Sequence, residues 1–184
     1  MKPFVEAIER IGAFSQGDLK LLQEKVRTKK FRAGEKLLAH GAVCREIIFL
    51  ADGALLEYKM TADLEKAVNG LFVEGDWVVN ASSFTSQKPT DYTIEAFGDS
   101  TVYGLDIYSI HQLIDRSPVF LQLGKVLDRS GYTPDHQRTP KDRYLHLMTN
   151  QPEILQRFPL KLIASYLQMT PETLSRVRQQ IIKS

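Results

Sequence analysis

The residues with the most chemistry to offer lie near the end of the chain, in MTPETLSRVRQQII (Met169 to Ile182). Arginine can bond guanine O6 and N7 together, and glutamate can accept from cytosine N4. Arg176 and Glu172 stand four residues apart, so a helix puts both on one side, with Ser175 and Gln179 beside them. Leu174, Val177 and Ile181 repeat at i, i+3 and i+7 and make an apolar stripe on the opposite side. The pattern alone leaves two readings open. One is a helix that reads base edges in a major groove. The other is a solvated helix face with an incidental Glu172–Arg176 pair.

Such a face needs a rigid support, and the preceding residues supply one. Leu160, Ile163, Ala164 and Leu167 form an inward face, and Gln168 and Met169 turn the chain. Thr170 can then accept from the free amides of the next helix, with Pro171 at its first position and Glu172 near its positive end. Helix, tight turn, helix is the expected arrangement, with Ala164 small enough for a close crossing.

The whole chain has 184 residues, 43% of them apolar, enough for one large domain or two small ones. Net charge is only +2. Its distribution is uneven: residues 133–184 hold eight Lys/Arg against four Asp/Glu, and the rest holds sixteen against eighteen. The basic surplus therefore falls with the base-reading candidate. A single cysteine, Cys44, excludes an internal disulfide and an all-cysteine metal site. No stretch approaches the roughly 20 apolar residues of a membrane helix, and no signal-peptide core opens the chain. A soluble, cytoplasmic protein is the expectation.

Upstream the periodicity divides the chain. Phe4, Ile8 and Ile11 share a helical face, and SQGD (Ser15 to Asp18) has the form of a capping box ahead of Leu19, Leu22 and Val26. From about Lys29 to Asp106, short aliphatic runs are punctuated by Gly34, Gly41, Gly53, Gly70, Gly75, Gly98 and Gly104. This rhythm predicts a β-sandwich or rolled barrel. After a short helix in SIHQLIDRSP, Pro118 can start another, in which Val119, Phe120, Leu123, Val126 and Leu127 form an apolar seam. The seam suits packing under the roll or pairing with a second subunit. Gly131, Pro134 and Pro140 mark 131–140 as the hinge, and Thr139, Pro140 and Asp142 begin the next helix.

With these elements in place, IASYLQMTPETLSRVR resembles the helix-turn-helix of the CRP/FNR family of bacterial transcription regulators. Ile163, Ala164, Leu167, Thr170, Glu172, Thr173, Ser175 and Arg176 stand at matching positions. FRAGEKLLAHGAVCREIIFLADGAL resembles the start of the family's cyclic-nucleotide-type β-roll, and DRYLHLM the segment leading into its DNA-binding domain. The resemblance implies an α+β protein. Residues 1–131 would be a cyclic-nucleotide-binding-like sensor with a connecting dimerisation helix at about 118–131, and 132–184 a helix-turn-helix DNA-binding domain. It also implies a homodimer joined through the seam, double-stranded DNA as partner, RNA polymerase as a further one, and no catalysis. Thr170, Glu172, Thr173, Ser175, Arg176 and Gln179 would meet DNA, with Lys161, and Arg157 beside it, on phosphates.

Departures from the family pattern matter. Gln168 stands where the family's turn glycine is usual, and Pro171 where some members carry another base-reading arginine. In nucleotide-binding members a Gly-Glu pair takes the ribose and an arginine neutralises the phosphate. Gly75-Asp76 is the nearest candidate for the pair here, and NASSFTSQKPTDYTIEAF offers only Lys88, with Asp91 close by. A buried phosphate without a paired cation is costly, so cyclic AMP is not the expected effector and no cofactor is assigned. Trp77 and Tyr92 suit either a pocket wall or core.

Two other classes fit less well. A cupin-like enzyme would cluster histidines with a carboxylate, but His40, His111, His136 and His146 are scattered without H-x-H spacing. No metal site is expected. A cyclic-nucleotide-binding regulatory or channel module without DNA binding would leave residues 158–182 unexplained.

Overall fold

A computed structural model describes residues 1–129 and 138–182. The expected hinge therefore lies largely outside the described residues, as do His136 and Lys183. Helix α1 (Lys2–Ile11) buries Phe4, Ile8 and Ile11 as expected. Helix α2 (Gln16–Lys25) starts with the capping box: the Asp18 amide donates to Ser15 Oγ at 3.1 Å, and the Ser15 amide to Asp18 Oδ2 at 2.9 Å. These bonds, led by the Ser15 hydroxyl, hold the Asp18 carboxyl below its usual range.

Eight strands then form the roll: β1 (Arg27–Phe31), β2 (Lys36–Leu38), β3 (Glu46–Asp52), β4 (Ala54–Met60), β5 (Lys66–Val73), β6 (Trp77–Val78), β7 (Thr93–Ala96) and β8 (Ser100–Asp106). They pair antiparallel in two four-stranded sheets, ordered β1-β8-β3-β6 and β2-β7-β4-β5. The expected limits, Lys29 to Asp106, miss only the first two residues of β1. Gly53 makes the turn from β3 to β4 at φ +100, where a Cβ would lie 2.6 Å from the Asp99 carbonyl oxygen. Only glycine fits there.

Strands β3 and β4 are buried on both faces, so EIIFLAD and ALLEYKM read as nearly continuous apolar runs rather than alternating ones. Between the sheets lie Ile48, Leu50, Leu55, Phe72, Val78, Ile94, Ala96 and Val102. The outer face of the first sheet offers Ile47, Phe49, Trp77 and Leu105 to α1 and α2, with α4 (Ile107–Arg116) closing the same core. Trp77 belongs to this core, 5.2 Å from the Phe49 ring centroid. The outer face of the second sheet offers Ala54, Leu56, Tyr58, Val68 and Leu71 to the C-terminal helices.

After α4 the chain differs from the expected single helix. Pro118–Gly124 forms a tight 3-10 turn and only α5 (Lys125–Arg129) is α-helical. The seam turns inward: Phe120, Leu123 and Val126 are buried against the α1 core, and Val119 and Leu127 are half-buried on it. Of the seam's two expected uses, these residues serve packing under the roll. Among the described residues no helix is long and apolar enough to cross a membrane.

Candidate nucleic-acid interface

Four helices follow the undescribed segment: α6 (Pro140–Asn150), α7 (Pro152–Arg157), α8 (Leu160–Tyr166) and α9 (Pro171–Ile182). Thr139 caps α6, its Oγ1 accepting from the Asp142 amide at 3.2 Å. Tyr144, Leu147, Ile154, Phe158, Ile163, Ala164, Leu167, Leu174 and Val177 are buried in one cluster, which continues into the second sheet. That shared cluster crosses the expected domain boundary at 131/132.

The turn between α8 and α9 is closed by backbone geometry. The Met169 amide donates to the Ala164 carbonyl at 2.9 Å and the Gln168 amide to the Ser165 carbonyl at 3.0 Å. That pair of bonds is a Schellman termination, which requires a left-handed residue where Gln168 stands. Gln168 takes that conformation itself, at φ +55. The turn is made without glycine, at the cost of strain in the glutamine backbone.

Helix α9 then starts on Thr170, whose Oγ1 accepts from the Thr173 amide at 3.2 Å and lies 3.1 Å from Thr173 Oγ1. Leu174 and Val177 face inward, while Glu172, Ser175, Arg176 and Gln179 are exposed together. Its own backbone amide holds the Glu172 carboxyl below its usual range, with help from the Thr170 hydroxyl and the Arg176 charge. The structure thus gathers the expected base-reading residues on one solvent-facing row. Thr170 and Thr173 are occupied in capping. Arg178, exposed beside the row, is a cation that sequence reasoning left unassigned; its offset from the apolar stripe was the available signal.

Lys161 has a partner inside the chain. Its Nζ lies 2.8 Å from Glu65 Oε1 in the loop between β4 and β5, which lowers the Glu65 carboxyl. Next to it, Ser165 Oγ accepts from the Val68 amide at 3.0 Å and donates to the Lys66 carbonyl at 3.2 Å. Phe158 meets Phe97 with ring centroids 4.9 Å apart. These contacts seat α7 and α8 on the roll and leave the outer row of α9 open.

The expected ligand residues separate. A cavity of about 420 Å³ lies beside α3 (Ala81–Ser86) and is lined by Lys88 but not by Gly75 or Asp76. Those two form the β5–β6 turn, where Asp76 Oδ2 accepts from the Val73 amide at 2.8 Å. Gly75 and Asp76 thus stand apart from the cavity that Lys88 lines. Burial pushes the Asp76 carboxyl up to about 6, opposed by that bond and aided by nearby Glu153. In the cavity wall stand instead Glu57, Asn69, Asn80, Asp91 and Tyr92. Asn80 caps α3 through the Ser83 amide at 3.1 Å and donates to Glu57 Oε1 at 2.8 Å, while Asn69 donates to Oε2. Glu57 is only 6% exposed, and burial raises its carboxyl despite these two bonds. Its signal in the sequence was one acid in the middle of ALLEYKM; it follows Leu55 on the inner face of β4, and the register shift opposite leaves Asn69 of β5 as the extra residue.

Among the described residues no group of three or more His, Cys, Asp or Glu is placed to hold a metal. Residues 28–117 match the family model of the cyclic nucleotide-binding domain. No curated protein matches the chain. Several solved structures share the fold. FixK2 from Bradyrhizobium japonicum superposes with TM-score 0.68 at 16% identity, covering 86% of this chain and 85% of its own. A mutant of CooA from Carboxydothermus hydrogenoformans gives 0.64 at 15% identity, covering 88% and 78%. The catabolite activator protein of Thermus thermophilus gives 0.55 at 15% identity, covering 93% and 85%.

Proposed function

We propose that this protein is a DNA-binding transcription regulator of the CRP/FNR type, not an enzyme, a reading supported by the match of residues 28–117 to the cyclic nucleotide-binding domain and by the fold shared with FixK2 and the catabolite activator protein. One observation carries the reading. Glu172, Ser175, Arg176 and Gln179 form an exposed row on a helix whose start is fixed by the turn at Gln168 and the cap at Thr170. In this reading 132–184 is a helix-turn-helix domain and α9 enters the major groove, its first turns on base edges. Arg176 bonds a guanine through two donors and Glu172 accepts from a cytosine amino group. Arg178 meets the phosphate backbone, which orients the helix without specifying sequence. Lys161 joins it only by leaving Glu65.

A helix of this length spans a few base pairs, so a homodimer reading a pseudo-palindrome supplies the necessary site length. With Phe120, Leu123 and Val126 buried within the chain, the pairing surface belongs to the outer side of the 118–129 segment, where Leu121 is 64% exposed. A cytoplasmic location and contact with RNA polymerase belong to the same reading. Arg176→Ala tests it: binding to the preferred duplex weakens by about 1–3 kcal/mol and selectivity relaxes at one guanine, whereas Arg178→Ala weakens all duplexes alike. Unchanged selectivity in Arg176→Ala rules out the base contact.

A further inference from the structure

We propose that the β4–β5 hairpin is a built-in competitor of DNA: its Glu65 carboxylate holds Lys161 in place of a backbone phosphate, and the duplex must displace it. The inference rests on the reading of α8 and α9 as a helix-turn-helix. In that arrangement the second helix enters the major groove and the first crosses the phosphate backbone. Lys161 stands exposed in the first turn of α8, where a phosphate would be met. Its Nζ instead donates to Glu65 Oε1 at 2.8 Å, a charge-assisted bond of the kind a phosphate oxygen would accept.

Both ends of the ion pair are fixed by backbone. The Thr61 amide donates to the Glu65 carbonyl at 2.9 Å, the Leu64 amide to the Thr61 carbonyl at 3.0 Å, and the Glu65 amide to Thr61 Oγ1 at 3.1 Å. Leu64 turns the hairpin tip at φ +59. On the helix side, Ser165 lies one turn after Lys161 and is bonded to the Val68 amide and the Lys66 carbonyl of β5. A groove of about 540 Å³ runs between the hairpin and the start of α9, with Leu64 and Glu65 on one wall and Met169, Thr170 and Pro171 on the other. A phosphate approaching Lys161 while α9 is in the DNA groove therefore meets Glu65 in contact with the lysine and exposed Asp63 at the tip, two like charges. The Lys161 and Glu65 side chains are 73% and 63% exposed, so the pair is weak enough for a polyanion to exchange. The hairpin sets a threshold for DNA rather than a block.

Fluorescence anisotropy of a scrambled-sequence duplex with the full chain, at several salt concentrations, tests the proposal. Glu65→Gln frees Lys161 and tightens binding about two- to fivefold, the worth of an exposed ion pair. It also steepens the fall of log affinity with log salt by about 0.9, the increment of one phosphate contact. Adding Lys161→Ala to Glu65→Gln removes both gains. Glu24→Gln, the same loss of charge on α2 beyond the first sheet, changes neither quantity. Affinity and slope unchanged in Glu65→Gln, a gain that survives Lys161→Ala, or an equal gain in Glu24→Gln overturns the proposal. The α9 reading is judged on the selectivity of Arg176→Ala and this proposal on a duplex without a preferred site, so each can fail alone.

Discussion

Replacing Gln168 by glycine is expected to stabilise the protein, an unusual direction for a substitution that removes a whole side chain. Gln168 sits at φ +55 in the turn that aims α9, and its side chain is exposed. Left-handed backbone costs an L-residue about 1–2 kcal/mol, and glycine is free of that cost. Glycine also gains freedom in the unfolded chain, which offsets about 0.4–1 kcal/mol. The net gain is about 0.5–1 kcal/mol, a rise in Tm of about 1–4 °C for a chain this long. Because the two turn hydrogen bonds come from backbone amides of Gln168 and Met169, both survive the change. Urea and thermal denaturation of Gln168→Gly and Gln168→Val measure the effect. Glycine should raise the midpoint, and valine, β-branched and poorly suited to φ > 0, should lower it. A glycine variant less stable than the parent would refute the strained-turn argument.

Three further outcomes follow from the packing. Ser165→Ala leaves the Val68 amide without its acceptor and should destabilise by about 1–3 kcal/mol, with faster hydrogen exchange at Val68 as the specific sign. Phe120→Ala, at a fully buried site, should cost about 3–5 kcal/mol independently of protein concentration; a concentration-dependent loss would place the ring in a subunit interface instead. Asp76, raised to about 6 by burial, is more easily protonated folded than unfolded, so stability should fall as pH rises from about 4 through 6. Asp76→Asn should remove that fall, on the order of 2 kcal/mol, in urea midpoints measured across this range; an identical slope in the variant would contradict it.

Much of the frame was legible because it rests on local rules. The capping box at Ser15, the stripe Leu174–Val177–Ile181 and the roll from about Lys29 each follow from spacing and turn chemistry. Other features depend on partners distant in sequence. The 119–127 seam had two physically sound uses, and only the position of α1 assigns it inward. Gly75-Asp76 had suitable residue types, but a β5–β6 turn of that length keeps them away from α3. Glu57 lay hidden because a strand covered on both faces gives no alternation against which an acid stands out. The pairing of Lys161 with Glu65 joins residues 96 positions apart, beyond any pattern in the sequence.

The central claim is that the outer row of α9 reads duplex DNA. Selection of bound duplexes from a random pool by the full chain, at fixed salt and repeated with Arg176→Ala, tests it most directly. The account predicts an enriched inverted repeat with half-site centres about one helical turn, ~34 Å, apart, and loss of one guanine preference per half-site in the variant. A pool that stays unenriched, or a motif identical in the parent and Arg176→Ala, contradicts it.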